Sequence, residues 1–132
     1  MQDMSFNDWR LLSNKYVAAE AAKDNNIKLM NRIQKEGGIW SKKSVAKFTK
    51  EEKQQIAGAK DSSCWEIRQA AAMNTAATFK TLRVTAKDKV WKVRRSTALN
   101  MNCSRELLGF LLKDEKMEVR EAAIKTLLRK VK

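Results

Sequence analysis

The chain has 132 residues, 43% of them hydrophobic, which suits a single folded domain and excludes wholesale disorder. It carries 28 lysines and arginines against 15 acids, a net charge of +13, and has no histidine. That excess points to a polyanionic partner, while the missing histidine removes the commonest general base and metal ligand. No apolar run is long enough to span a bilayer and no signal-peptide core is present, so a cytoplasmic protein with no membrane partner is expected.

In chain order, Ser5-x-x-Asp8 reads as a capping box opening a helix to about Lys23, with Trp9, Leu12, Tyr16 and Ala19 on its apolar face. Asp24-Asn25-Asn26 breaks it. A second helix runs from Ile27 to about Lys35, with Leu29, Met30 and Ile33 inward, and Gly37-Gly38 closes it as a C-cap. Ser41 caps a short helix to Phe48, and Thr49-x-x-Glu52 opens another through Ile56 to about Lys60. Further helices are expected at about 63–73, 77–86, 89–99, 104–112 and 116–130, and no segment has the alternation of a strand. The fold class is all-α.

The last five segments repeat. Trp65-Glu66-Ile67-Arg68 returns as Trp91-Lys92-Val93-Arg94 and as Met117-Glu118-Val119-Arg120, each copy 26 residues after the last. Ala71-Ala72-Met73-Asn74 is likewise followed by Thr97-Ala98-Leu99-Asn100. A fixed period of this length marks stacked helical repeats, whose units bury an apolar face against their neighbours and present a surface to partners. Ile67, Val93 and Val119 form the inward stripe with Ala70, Ala71, Thr97, Ala122 and Ala123. Asn74 and Asn100 are expected to turn the chain, and Thr75 and Ser104 to cap the next helix in each case. Arg68, Arg94 and Arg120 are expected to brace the repeats by pairing with Asp61, Asp88 or Asp114 rather than to meet ligand.

Asn100-Met101-Asn102-Cys103-Ser104-Arg105-Glu106-Leu107-Leu108, Leu111-Leu112-Lys113-Asp114 and Val119-Arg120-Glu121-Ala122-Ala123 resemble the variant leucine-rich repeat, a relative of the HEAT-like α-solenoids. The likeness covers residues 61–132. It implies a short right-handed α-solenoid with residues 1–60 as an N-terminal helical cap, all in one domain, and a generic binding role. The founding member of that family holds an iron–sulfur cluster. Cys64 and Cys103 cannot furnish four thiolates, so no cofactor is expected here.

Nothing in the sequence assembles a catalytic or metal-binding set. No glycine-rich phosphate loop occurs, and the two cysteines lack metal-ligand spacing. A non-enzymatic binding module is therefore expected. The charge concentrates in residues 41–60 and 87–112. Lys42, Lys43, Lys47, Lys50 and Lys53 are one candidate surface, with Lys43, Lys47 and Lys50 on one side if that segment is helical. Lys89, Lys92 and Arg95 are a second, and Trp40 is a candidate for stacking on bases. Trp65 and Trp91 are expected to pack between repeats. The partner is expected to be nucleic acid or a nucleoprotein contacted through phosphates, and alternatively an acidic protein surface met by an adaptor or inhibitor. Lys125, Arg129, Lys130 and Lys132 are read as a polar end cap that keeps the chain monomeric.

Overall fold

A computed structural model describes residues 14–131, and every regular element among them is an α-helix. The helices are α1 (Lys15–Lys23), α2 (Ile27–Glu36), α3 (Ile39–Phe48), α4 (Glu52–Ala59), α5 (Trp65–Ala72), α6 (Phe79–Thr85), α7 (Trp91–Leu99), α8 (Arg105–Leu111) and α9 (Met117–Lys130). The odd-numbered helices pack in series, α1 on α3, α3 on α5, α5 on α7 and α7 on α9. Each even-numbered helix packs against its odd-numbered neighbours, and α4 also packs against α6.

The stripe expected from the repeat is the core. Ile67, Val93 and Val119 are completely buried, and Ala70, Ala71, Thr97, Ala122 and Ala123 are buried beside them. Each of the three branched residues contributes about 1.5–3 kcal/mol through burial. A C-terminal cluster adds Leu82, Leu108, Leu111 and Cys103, with Trp91 packed against it. At the other end Ala18, Ala21 and Ala22 of α1 meet Met30, Ile33 and Val45. Small residues set the spacing between helices. A Cβ on Gly58 of α4 would lie 2.8 Å from the Cβ of Ala46 of α3, closer than two carbon atoms can pack.

Buried polar side chains join successive members of the odd-numbered row. Asn74 Nδ2 donates to the carbonyls of Ala46 at 2.9 Å and Thr49 at 2.7 Å, while its Oδ1 accepts from Ala76 N–H. Asn100 repeats this one unit on, donating to Ala72 at 2.8 Å and Asn74 at 2.9 Å. Thr126 Oγ1 takes the third place and donates to the carbonyl of Ala98 at 2.5 Å. These bonds satisfy helix-end carbonyls that have no partner within their own helix. Gln55 does comparable work between α4 and α6: it donates to Thr49 and Ala76 carbonyls and accepts from Thr78 N–H and Thr81 Oγ1. The acceptors Ala46, Ala72 and Ala98 keep the 26-residue interval, so the periodic contact reaches back to α3, beyond the segment in which the sequence repeat is visible.

Several local expectations are corrected. Asn14, not an upstream residue, caps α1, its Oδ1 accepting from Tyr16 and Val17 N–H, so a helix does not run unbroken to Lys23. Ser5, Asp8, Trp9 and Leu12 lie outside the described residues. Tyr16 is exposed, and the inward face of α1 is Ala18, Ala21 and Ala22. Gly37 is the C-cap of α2, as expected, but without the left-handed conformation that a glycine cap commonly takes. It is extended, and a Cβ there would meet the Ile33 carbonyl oxygen at 2.6 Å. Among the described residues, positive φ occurs at Asn25, at 54°.

The caps shift as well. Ser41 lies inside α3 with its Oγ buried and unpartnered, and Gly38 holds the N-cap. Glu51 holds that position in α4, and Thr49 Oγ1 accepts from Glu51 N–H in a tight turn instead of forming a capping box. Thr78, not Thr75, caps α6, because that helix begins at Phe79. Ser104 caps α8 as expected.

Candidate functional site

Two of the three repeated arginines are structural. Arg68 donates through Nε and Nη2 to both carboxylate oxygens of Asp88, at 2.7 and 3.4 Å, and through Nη1 to the Asp61 carbonyl. Arg94 does the same to Asp114, at 2.7 and 3.1 Å, and to the Asp88 carbonyl. Each guanidinium thus clamps two successive turns. The planar five-donor fork is suited to this task, whereas a lysine presents its three donors from a single point and cannot form the bidentate fork to a carboxylate. Burial works to raise the Asp114 carboxyl. Hydrogen bonds from Arg94 and from Lys116 N–H, with the charges of Arg94 and Arg120, outweigh it and hold the carboxyl below its ordinary value. The Arg94 guanidinium is raised in return, chiefly by its hydrogen bond to Asp114. Arg120 keeps the carbonyl contact, to Asp114, without a carboxylate partner among the described residues.

Because those pairs are internally neutral, they leave the excess of thirteen positive charges untouched. Lys47, Lys50, Lys53, Lys89, Lys92 and Arg95 are exposed, Lys42 and Lys43 are half-buried, and none of the eight makes an ion pair among the described residues. The structure distributes them over distinct surfaces.

The first surface lies where α1 meets α3. Trp40 is 61% exposed, with the ammonium groups of Lys43 and Lys15 5.3 and 5.9 Å from its ring centre. Lys15 also lies over Tyr16, and Lys23 and Lys47 lie over Phe48 at 5.2 and 5.5 Å. Lys43 and Lys47 stand one turn apart on α3. Four lysines therefore surround three exposed aromatic rings, an arrangement in which ammonium groups are held near flat apolar faces. Lys15, Lys23 and Phe48 are not site candidates from the sequence, and Tyr16 reads there as part of an apolar face, because only the packing of α1 on α3 brings Lys15 to Trp40 and Lys23 to Phe48. Lys50 does not extend this face along a helix: α3 ends at Phe48, and Lys50 is in the connection to α4. Lys53 lies on α4. Lys42 occupies the place that Arg68 and Arg94 hold in later units.

The second surface is at the starts of α5 and α7. Trp65 and Trp91 are half-buried, in keeping with packing between units. Lys92 sits 5.3 Å from the ring of Trp65 and 6.0 Å from that of Trp91, and Lys116 sits 5.4 Å from Trp91. Lys116 carries no signal in the sequence, since it lies outside both basic runs. Lys89 is in the turn before α7.

Arg95 parts from Lys89 and Lys92 and lines a groove of about 450 Å³ between the ends of α5 and α7. Met73, Leu99 and Met101 supply its apolar wall, Asn102 and Arg129 its polar rim, and no carboxylate lines it. A neighbouring groove shares Arg95 and adds Glu118, Glu121 and Lys125.

Among the described residues no group of His, Cys, Asp and Glu is placed to hold a metal ion, and no helix is long and apolar enough to cross a membrane. Cys103 is buried, and burial pushes its thiol up to about 11, with Lys130 pulling slightly the other way. No family model, curated protein or solved structure matches the chain.

Proposed function

We propose that this chain is a one-domain, short right-handed α-solenoid of the HEAT-like and variant leucine-rich type, a non-enzymatic module that binds nucleic acid or a nucleoprotein through phosphate contacts. The solenoid reading is supported by the serial packing of the odd-numbered helices and by the polar contacts that recur every 26 residues. The cytoplasm is its proposed setting.

The observation that carries the binding reading is the surface of Trp40, Tyr16 and Phe48 ringed by Lys15, Lys23, Lys43 and Lys47. Asp88 and Asp114 are committed to Arg68 and Arg94, and Glu20 lies 3.9 Å from Lys23, whereas Lys43 and Lys47 make no ion pair among the described residues. Unneutralised ammonium groups next to exposed rings offer phosphate contacts together with stacking platforms that accept any base. Affinity of this origin is electrostatic and largely independent of sequence.

Titration of labelled single- and double-stranded DNA and RNA, followed by fluorescence anisotropy, tests this. Micromolar or tighter binding at low salt, weakened by Trp40→Ala, is expected. Absence of binding to all four at low salt overturns it.

The groove beside Arg95 favours a second reading, an adaptor or inhibitor docking an acidic protein segment. Two methionines and a leucine with two arginines suit an apolar side chain followed by a carboxylate.

A further inference from the structure

In α5 the positions that receive the next helix of the odd-numbered row are Trp65, Arg68 and Ala72, and in α7 they are Trp91, Arg94 and Ala98. Ala72 and Ala98 are fully buried there, and the tryptophans are half-covered. The same positions of α9 are Met117, Arg120 and Ile124, followed one turn on by Leu128. Met117 is 55% exposed, Ile124 49%, Leu128 60% and Val131 69%. They form one stripe along the helix, since their spacing of seven, four and three residues returns each to the same side.

Among the described residues no helix packs on this stripe. Of the basic residues expected to make this end polar, Arg129 and Lys125 stand to one side and line the two grooves beside Arg95, Lys130 is half-buried, and Lys132 lies outside the described residues. The outer face of α9 is thus an apolar surface of the kind that every earlier member of the row covers.

We infer that a second copy of this chain covers it, with the two α9 helices packed antiparallel. Charge selects both the occupant and the direction. One flank of the stripe carries Glu118 and Glu121 in the first half of the helix and Lys125 and Arg129 in the second. None of the four makes an ion pair among the described residues. Antiparallel apposition sets the acids of each copy against the bases of the other, whereas parallel apposition sets like against like. A helix of 14 residues is about 21 Å long, so the buried area falls at the small end of specific interfaces and the dimer is reversible.

Sedimentation equilibrium on the full chain, from micromolar to near-millimolar concentration and without nucleic acid, decides the matter. A monomer–dimer equilibrium is expected. Ile124→Lys and Leu128→Lys should each weaken dimerisation at least tenfold while the far-ultraviolet circular dichroism stays unchanged, because both side chains are exposed. Glu118→Lys combined with Glu121→Lys should weaken it as well, more at low salt than at high salt. A chain that stays monomeric throughout overturns the inference and leaves the face for a further helical repeat or another protein. A dimer indifferent to Ile124→Lys and Leu128→Lys overturns it equally.

Discussion

Asn74 reaches across 28 residues to hold the carbonyl of Ala46 at 2.9 Å, from a fully interior position. Truncation to alanine leaves the carbonyl of Ala46 and the N–H of Ala76 without their side-chain partner, while the Thr49 carbonyl keeps only its bond from Gln55 Nε2. Asn74→Ala is therefore expected to cost about 3 kcal/mol of folding stability. Asn100→Ala, at a half-buried site where water can substitute, should cost about half as much. Urea unfolding of the two variants checks the order; equal losses would show that burial is not what sets the cost.

Arg94 and Asp114 form a pair with side chains 10% and 7% exposed. Arg94→Met strands a carboxylate in the interior and is expected to lose about 3 kcal/mol or more, whereas Arg94→Met with Asp114→Leu should lose less than the single change. The lowered Asp114 carboxyl sets the pH dependence. A depressed folded value means stability that is fully present above the unfolded value of about 4 and is lost as pH falls through the folded one. Acid unfolding of the wild type and of Arg94→Met, monitored by circular dichroism, checks this. The variant should lack that part of the acid-dependent loss.

Two glycines give opposite expectations. Gly58→Ala should destabilise by about 1–3 kcal/mol, because the new methyl group is driven into Ala46 despite the gain in helix propensity. Gly109→Ala in α8 meets nothing within 4 Å and should stabilise by about 0.5–1 kcal/mol. Thermal melts of the two variants settle both signs.

Cys103 is buried with its thiol raised to about 11, so it should resist alkylation in the native chain near neutral pH and react only as the protein unfolds. Mass spectrometry of iodoacetamide-treated protein, with and without urea, reads this directly. Rapid native modification of Cys103 would contradict its burial.

The range of each contact decides whether it can be read from the sequence. The helices from α5 onward are legible because Trp65-Glu66-Ile67-Arg68 recurs as a local string, and the 20-residue step from arginine to aspartate falls within one period. The kinship of α3 with those helices was not legible. Ser41 and Lys42 replace the valine and arginine there, and only the bond from Asn74 to Ala46 betrays it. Ser41 has the chemistry of a cap because serine commonly serves as one, but α3 begins two residues earlier, at Ile39.

Of the candidate site, Trp40, Lys43 and Lys47 share a surface. Lys50 leaves it because α3 stops at Phe48, after which the Thr49 carbonyl turns to Gln55 and Asn74. Lys92 and Arg95 stand one helical turn apart, and that single turn sends one to the tryptophans and the other into the groove. Lys15 and Lys23 join only through the packing of α1, a contact that no local pattern encodes.

The central proposal is that the lysines around Trp40 contact phosphates. Its most direct test is the salt dependence of binding to a labelled random-sequence duplex, for the wild type and for the variant carrying Lys43→Glu and Lys47→Glu. A plot of log affinity against log salt should fall steeply, by about 0.9 per phosphate contact, and the variant should bind more weakly with a shallower slope. Affinity that ignores salt, or a variant with the wild-type slope and strength, would contradict the proposal.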